Sequence, residues 1–84
     1  MPLKPDPSKA IEIDGFVAVK FAMFDGEKRV ICKASWIALQ DRAALDKTDE
    51  SDVRGTFEKY RAQIEKVASD RYDGGERNPL VDSW

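Results

Sequence analysis

The sequence predicts a small α+β domain: an antiparallel sheet of three to four strands with one short and one long helix, the long helix packed on one sheet face. Three observations predict it. Apolar residues alternate from Val17 to Phe21, cross an Asp25-Gly26 turn signal and resume from Val30 to Ala34. Ser35 then offers a helix N-cap. Further on, Val53, Phe57, Tyr60, Ile64, Val67 and Arg71 recur at spacings of four and three, the stripe of an amphipathic helix.

The chain opens with Pro2, Pro5 and Pro7, each of which fixes φ and removes a backbone donor. Residues 1–9 therefore read as a flexible tail and residues 10–84 as a single domain, with structure starting near Ala10. Ala10 to Ile13 has strand character and Asp14-Gly15 is a turn signal. A tight hairpin there pairs Ile13 with Phe16 and Ile11 with Ala18, which sets the isoleucines on the face opposite Val17, Val19 and Phe21. A bulge would remove that conflict.

In the second hairpin, a two-residue Asp25-Gly26 loop pairs Phe21 with Val30, Val19 with Cys32 and Val17 with Ala34 on a core face. The opposite face then carries Lys20, Arg29 and Lys33 with Ala18, Ala22 and Ile31. A one-residue slip would bury the lysines and expose the valines, so the pattern defends its faces. Lengthening the loop by two residues keeps the same faces and leaves the turn open.

After Ser35 a short helix runs from Trp36 to about Leu45, and a long one from about Ser51 to Tyr72, ended by Gly74-Gly75. Gly55 lies inside the second and costs about 1 kcal/mol relative to alanine, either for close packing or as a weak first turn. Leu80-Val81 reads as a short edge strand, because Pro79 restricts it to a strand start or sheet edge. The expected core is Val17, Val19, Phe21, Val30, Cys32, Trp36, Leu39, Phe57, Tyr60, Ile64 and Val67.

Composition narrows the function classes. At 84 residues with 42% apolar and 36% charged side chains, the chain supports one thin core. The formal charge of -2 gives no global attraction to nucleic acid. A single cysteine permits no internal disulfide, and no apolar run is long enough for a membrane span or signal peptide, so a cytoplasmic location is expected. No histidine is present, which removes the side chain best suited to proton transfer at neutral pH and the commonest neutral metal ligand. No catalytic residue, cofactor or metal site is expected.

Cys32 among Val19, Phe21 and Val30 reads as a small core residue rather than a reactive thiol. Asp46, Asp49, Glu50 and Asp52 lack the spacing of a calcium loop and suit helix capping. The candidate binding surface is Lys20, Arg29 and Lys33 on the outer hairpin face, with Trp84 as a separate aromatic anchor.

The run Val30-Ile31-Cys32-Lys33-Ala34-Ser35-Trp36-Ile37-Ala38-Leu39-Gln40-Asp41, followed by Phe57, Arg61, Ile64-Glu65 and Ala68, resembles a bacterial family known as domain of unknown function 1488. That family carries a Val-x-Cys strand, a Ser-x-x-Ala-Leu-x-Asp helix entry and a Phe-x-x-x-Arg-x-x-Ile-Glu helix. The resemblance covers roughly residues 10 to 82 and implies a compact α+β domain, with no activity or cofactor to carry over. Here the Glu27-Lys28-Arg29 segment is one residue longer than the pattern, and Pro79 interrupts the closing strand.

The leading functional expectation is a non-enzymatic accessory or protein-interaction module, with an unknown protein partner or a second copy of itself. Two alternatives stand beside it: a weak nucleic-acid or phosphate binder using the outer hairpin face, and a ligand-binding or catalytic domain completed by a partner chain.

Overall fold

Turn chemistry sets the register of the sheet in the computed structural model, which describes residues 3–84. Strands β3 (Ala18–Asp25) and β4 (Lys28–Ser35) pair antiparallel with Asp25 opposite Lys28, leaving Gly26 and Glu27 as the loop. Gly26 takes φ 62° at the first central position, as a type II′ turn requires. The loop thus sits one residue later than expected, and every pair shifts by two. Phe21 faces Cys32, Val19 faces Ala34 and Met23 faces Val30. An even shift preserves both faces, so the core face stands while its pairings are corrected.

The first hairpin resolves its parity conflict with loop length. Strand β2 (Ile11–Asp14) pairs with β3 so that Asp14 faces Ala18, and Gly15, Phe16 and Val17 form a three-residue loop. Gly15 lies at φ 53° and the Val17 amide donates to the Asp14 carbonyl at 3.0 Å. An odd loop brings Ile11 opposite Phe21 and Ile13 opposite Val19, so the isoleucines share the core face. Val17 is corrected from core to exposed loop, since it lies outside the pleat that would turn it inward.

Structure begins earlier than Ala10. Strand β1 (Lys4–Pro5) pairs with Phe24 and Met23 on the same edge of β3 that β2 occupies further along. Leu3 is buried, and its amide donates to Ser69 Oγ at 2.9 Å. A proline is tolerated at a sheet edge because no further ladder bond is required of it. Met1 and Pro2 lie outside the described residues.

Helix α1 (Trp36–Leu45) starts as expected, with Ser35 Oγ accepting from the Ala38 amide at 3.3 Å. Helix α2 (Val53–Asp73) is capped by Asp52, whose Oδ1 accepts from the Gly55 amide at 3.0 Å. A Cβ on Gly55 would stand 2.3 Å from Asp52 Oδ2, so the glycine makes room for the cap. Strand β5 (Leu80–Val81) is the expected edge strand but runs parallel to β4, with Lys33 facing Leu80, so the sheet is mixed rather than wholly antiparallel. Pro79 still contributes its carbonyl, which accepts from the Lys33 amide at 2.9 Å.

The long helix lies against one sheet face, and Leu3, Phe21, Met23, Cys32, Leu39, Phe57, Ile64, Ala68 and Val81 form much of the core between them. Its buried stripe is rotated from the expected one. Tyr60 and Val67 sit half-buried on the flank, while Arg61, Glu65, Ala68 and Ser69 turn inward. Arg71 is half-exposed and pairs with Asp82 at 2.8 Å and Glu76 at 3.5 Å.

Candidate functional site

With α1 and α2 on one face of the sheet, no described element covers the other, and strand pairing dictates which side chains meet there. Asp14, Ala18 and Ser35 form one row across the strands. The next row reads Glu12, Lys20, Lys33 and Leu80. Ala22 and Ile31 follow, and then Lys4, Phe24 and Arg29. The cations therefore occupy two banks separated by a row of small and apolar residues.

Between those banks lies an open groove of about 300 Å³, lined by Ala10, Glu12, Lys20, Ala22, Arg29 and Ile31 among others. Ala22 faces outward and lines this groove although little of its surface is exposed. Lys20 approaches Asp14 at only 4.0 Å, and neither Arg29 nor Lys33 has an ion pair among the described residues. The Asp6 carboxyl is held below its usual range, first by the amide and hydroxyl of Ser8, and further by the charges of Arg29 and Arg61.

The structure thus brings together Lys20, Arg29 and Lys33, and it leaves Trp84 apart. The Trp84 ring lies 6.1 Å from the Tyr60 ring, with the Arg42 guanidinium 4.7 Å from Tyr60 and 5.3 Å from Trp84. Arg42 also donates to the Trp84 carbonyl. This anchors the C-terminal segment onto the helices, and it places the indole beside the core and Arg42 rather than beside Lys20, Arg29 and Lys33.

Two surface features were not singled out in the sequence. Phe24 joins Arg29 on the outer face, where its strand parity alone could have placed it; Lys4 had no such signal, being assigned to a tail. The second is an apolar corner where the first hairpin loop meets α1. Phe16 is 84% exposed, Val17 68% and Ile37 68%, and the Phe16 ring stands edge-on to Trp36 at 5.4 Å. The Val17 carbonyl accepts from the Trp36 amide at 3.0 Å, which ties the loop to the helix start.

Cys32 is fully buried, and burial first, then the nearby Glu65 charge, pushes its thiol up to about 12. A thiol so protonated is a poor nucleophile at neutral pH. Asp46 accepts from Tyr60 Oη and Lys59 Nζ, Asp49 accepts from the amide and hydroxyl of Ser51, and Asp52 caps α2. Those hydrogen bonds hold the Asp46 and Asp49 carboxyls below their usual range. Among the described residues no group of three or more Cys, Asp or Glu side chains is placed to hold a metal ion, and no helix is long and apolar enough to cross a membrane.

Neither the curated proteins nor the solved structures contain a match to this chain. A family model does match, described as Protein of unknown function (DUF1488) and spanning residues 14–82, which takes in both hairpin loops, both helices and the edge strand. Since that span is most of the chain and includes the Arg61 to Glu65 segment that faces the core, the protein belongs to this family.

Proposed function

We propose that the chain is a non-enzymatic accessory module that works through protein contacts, and that the apolar corner of Phe16, Val17, Trp36 and Ile37 is its contact surface. The observation that carries this reading is the exposure of Phe16, Val17 and Ile37 at a loop-to-helix junction tied by the Trp36 amide donating to the Val17 carbonyl. Scattered exposed apolar residues are ordinary, whereas a contiguous group presented by ordered backbone suits an interface core. Among the described residues the adjoining strand β2 pairs only with β3, so its outer edge is also open to an added strand.

Sedimentation of the purified chain over a wide concentration range, together with affinity capture at near-physiological concentration, tests the reading. The expected result is self-association or a retained protein partner, lost in Phe16→Ser/Ile37→Ser while the circular dichroism spectrum is unchanged. A chain that stays monomeric and retains no protein, or an interaction indifferent to that double substitution, would overturn it.

A further inference from the structure

We infer that the groove on the outer sheet face binds a small organic monoanion: a carboxylate carried on a compact apolar body. Three features of the groove converge on that chemistry. Its floor is Ala22 with Ala10 and Ile31 beside it, an apolar surface set below its surroundings, where a flat or branched hydrocarbon group displaces water without meeting a buried polar side chain. Its banks carry Lys20 on one side and Arg29 on the other, so an anionic group is met by a cation whichever way the body lies. The guanidinium of Arg29 makes no ion pair within 4.0 Å among the described residues and feels the Asp6 carboxylate only at longer range, so its planar donors can meet the paired oxygens of a carboxylate.

The balance of charged groups on this face sets the charge of the ligand. Glu12 faces Lys20 across the β2–β3 pair and lines the same groove; with Asp14 beside Lys20 and the Asp6 carboxylate near Arg29, it stands against Lys4, Lys20, Arg29 and Lys33, which leaves a net of one positive charge. A monoanion balances that; a phosphate dianion overfills it and meets the Glu12 carboxylate. A volume of about 300 Å³ is at the small end of ligand sites and suits a body the size of one ring. A long polyanion is less suited, because Phe24 is the one aromatic side chain in the rows described on this face and stacking of successive bases needs several.

The probe is benzoate, titrated into isotopically labelled protein while the amide and methyl resonances of Ala22 and Ile31 are followed. Expected are saturable shifts at those residues in the millimolar range, weakened at least about tenfold with benzamide and at least about tenfold in Arg29→Gln, since either change removes a charge-assisted pair. Lys20→Gln should weaken binding as well. Both residues are on the surface, and unchanged spectra away from the groove confirm that the variants fold. Equal shifts with benzamide, or shifts unaffected by Arg29→Gln and Lys20→Gln, would sink the inference. Tenfold tighter binding of phenyl phosphate or of an oligothymidylate at the same residues would also overturn the monoanion assignment.

Discussion

Arg61 and Glu65 form an ion pair inside the helix-sheet layer, with Nε 3.4 Å from Oε2 and side chains only 6% and 8% exposed. Arg61 reaches further, donating through Nη1 to the Lys9 carbonyl at 2.9 Å and lying 5.2 Å from the Phe57 ring centroid. It therefore joins α2 to the turn between β1 and β2. Burying two charges is costly, and breaking such a pair is costlier than never having had it. Arg61→Ala should lower stability by about 3–5 kcal/mol by leaving Glu65 uncompensated. Arg61→Met/Glu65→Leu should recover most of that loss. Urea unfolding of both variants decides: equal damage in the single and double variants would show that the pair's charge is not what holds this region.

Phe57 and Ile64 stand on the same side of α2, and the Phe57 ring lies 5.2 Å from that of Phe21. Truncating either to alanine should cost about 2–5 kcal/mol, comparable to the stability of roughly 5 kcal/mol expected of so small a domain. Both variants are expected to be largely unfolded at 37 °C by circular dichroism. Retention of the parent melting temperature in either would contradict their place at the centre of the core.

The Cys32 thiol makes stability fall at alkaline pH. In the unfolded chain it ionises near an ordinary 9.0, whereas in the fold it stays protonated up to about 12. Between those values the folded state holds the extra proton, so its advantage is complete below pH 9 and is lost as pH rises. The slope attributable to this group is about 1.4 kcal/mol per pH unit. The Asp46 hydrogen bond raises Lys59 and the Asp25 hydrogen bond raises Tyr72, so both add to the alkaline pH dependence; the comparison is therefore with Cys32→Ala, which should lack the part of the slope due to the thiol. The native thiol should also react with a disulfide reagent only as fast as the protein opens; labelling at the unfolded-chain rate would contradict its burial.

At the start of α2, Gly55→Ala sets two effects against each other. The methyl group improves helix propensity by about 1 kcal/mol, while its collision with the Asp52 carboxylate removes a cap worth about 0.5–2 kcal/mol. The net change should lie within about 1 kcal/mol of zero. Asp52→Ala alone should destabilise, yet add little in the Gly55→Ala background, a non-additivity that a double-mutant cycle in urea measures directly.

Much of this architecture was legible because periodicity and turn chemistry agreed. The alternating run around Cys32 defined the two faces of the hairpin, and Ser35 marked the helix start, so Lys20, Arg29 and Lys33 could be placed on one surface before their pairings were known. Val17 was misplaced because a loop's length is not written in the apolar pattern; two residues and three residues differ by a whole face. Arg61 and Glu65 escaped a pattern that weighs only apolarity, which rotated the expected stripe toward Tyr60 and Val67. Only their appearance in a Phe-x-x-x-Arg-x-x-Ile-Glu run pointed to them. Leu3 and Lys4 followed prolines that read as a loose tail, and nothing local announced that an edge of β3 would receive them.

The contacts that hold the sheet together differ in how far their residues must travel. The pairing of β3 with β4 closes a loop of two residues, whereas Leu3 reaches Ser69 across 66 residues and β5 finds Lys33 from the far end of the chain. Loop-closure entropy makes the two hairpins the natural early structures and the borders formed by β1 and β5 late ones. The borders should also be the first to open. Amide hydrogens of Leu3 and Lys33, which rest on those distant partners, are expected to exchange well before those at the centre of β3, so the sheet loosens inward from two opposite sides and not from its turns.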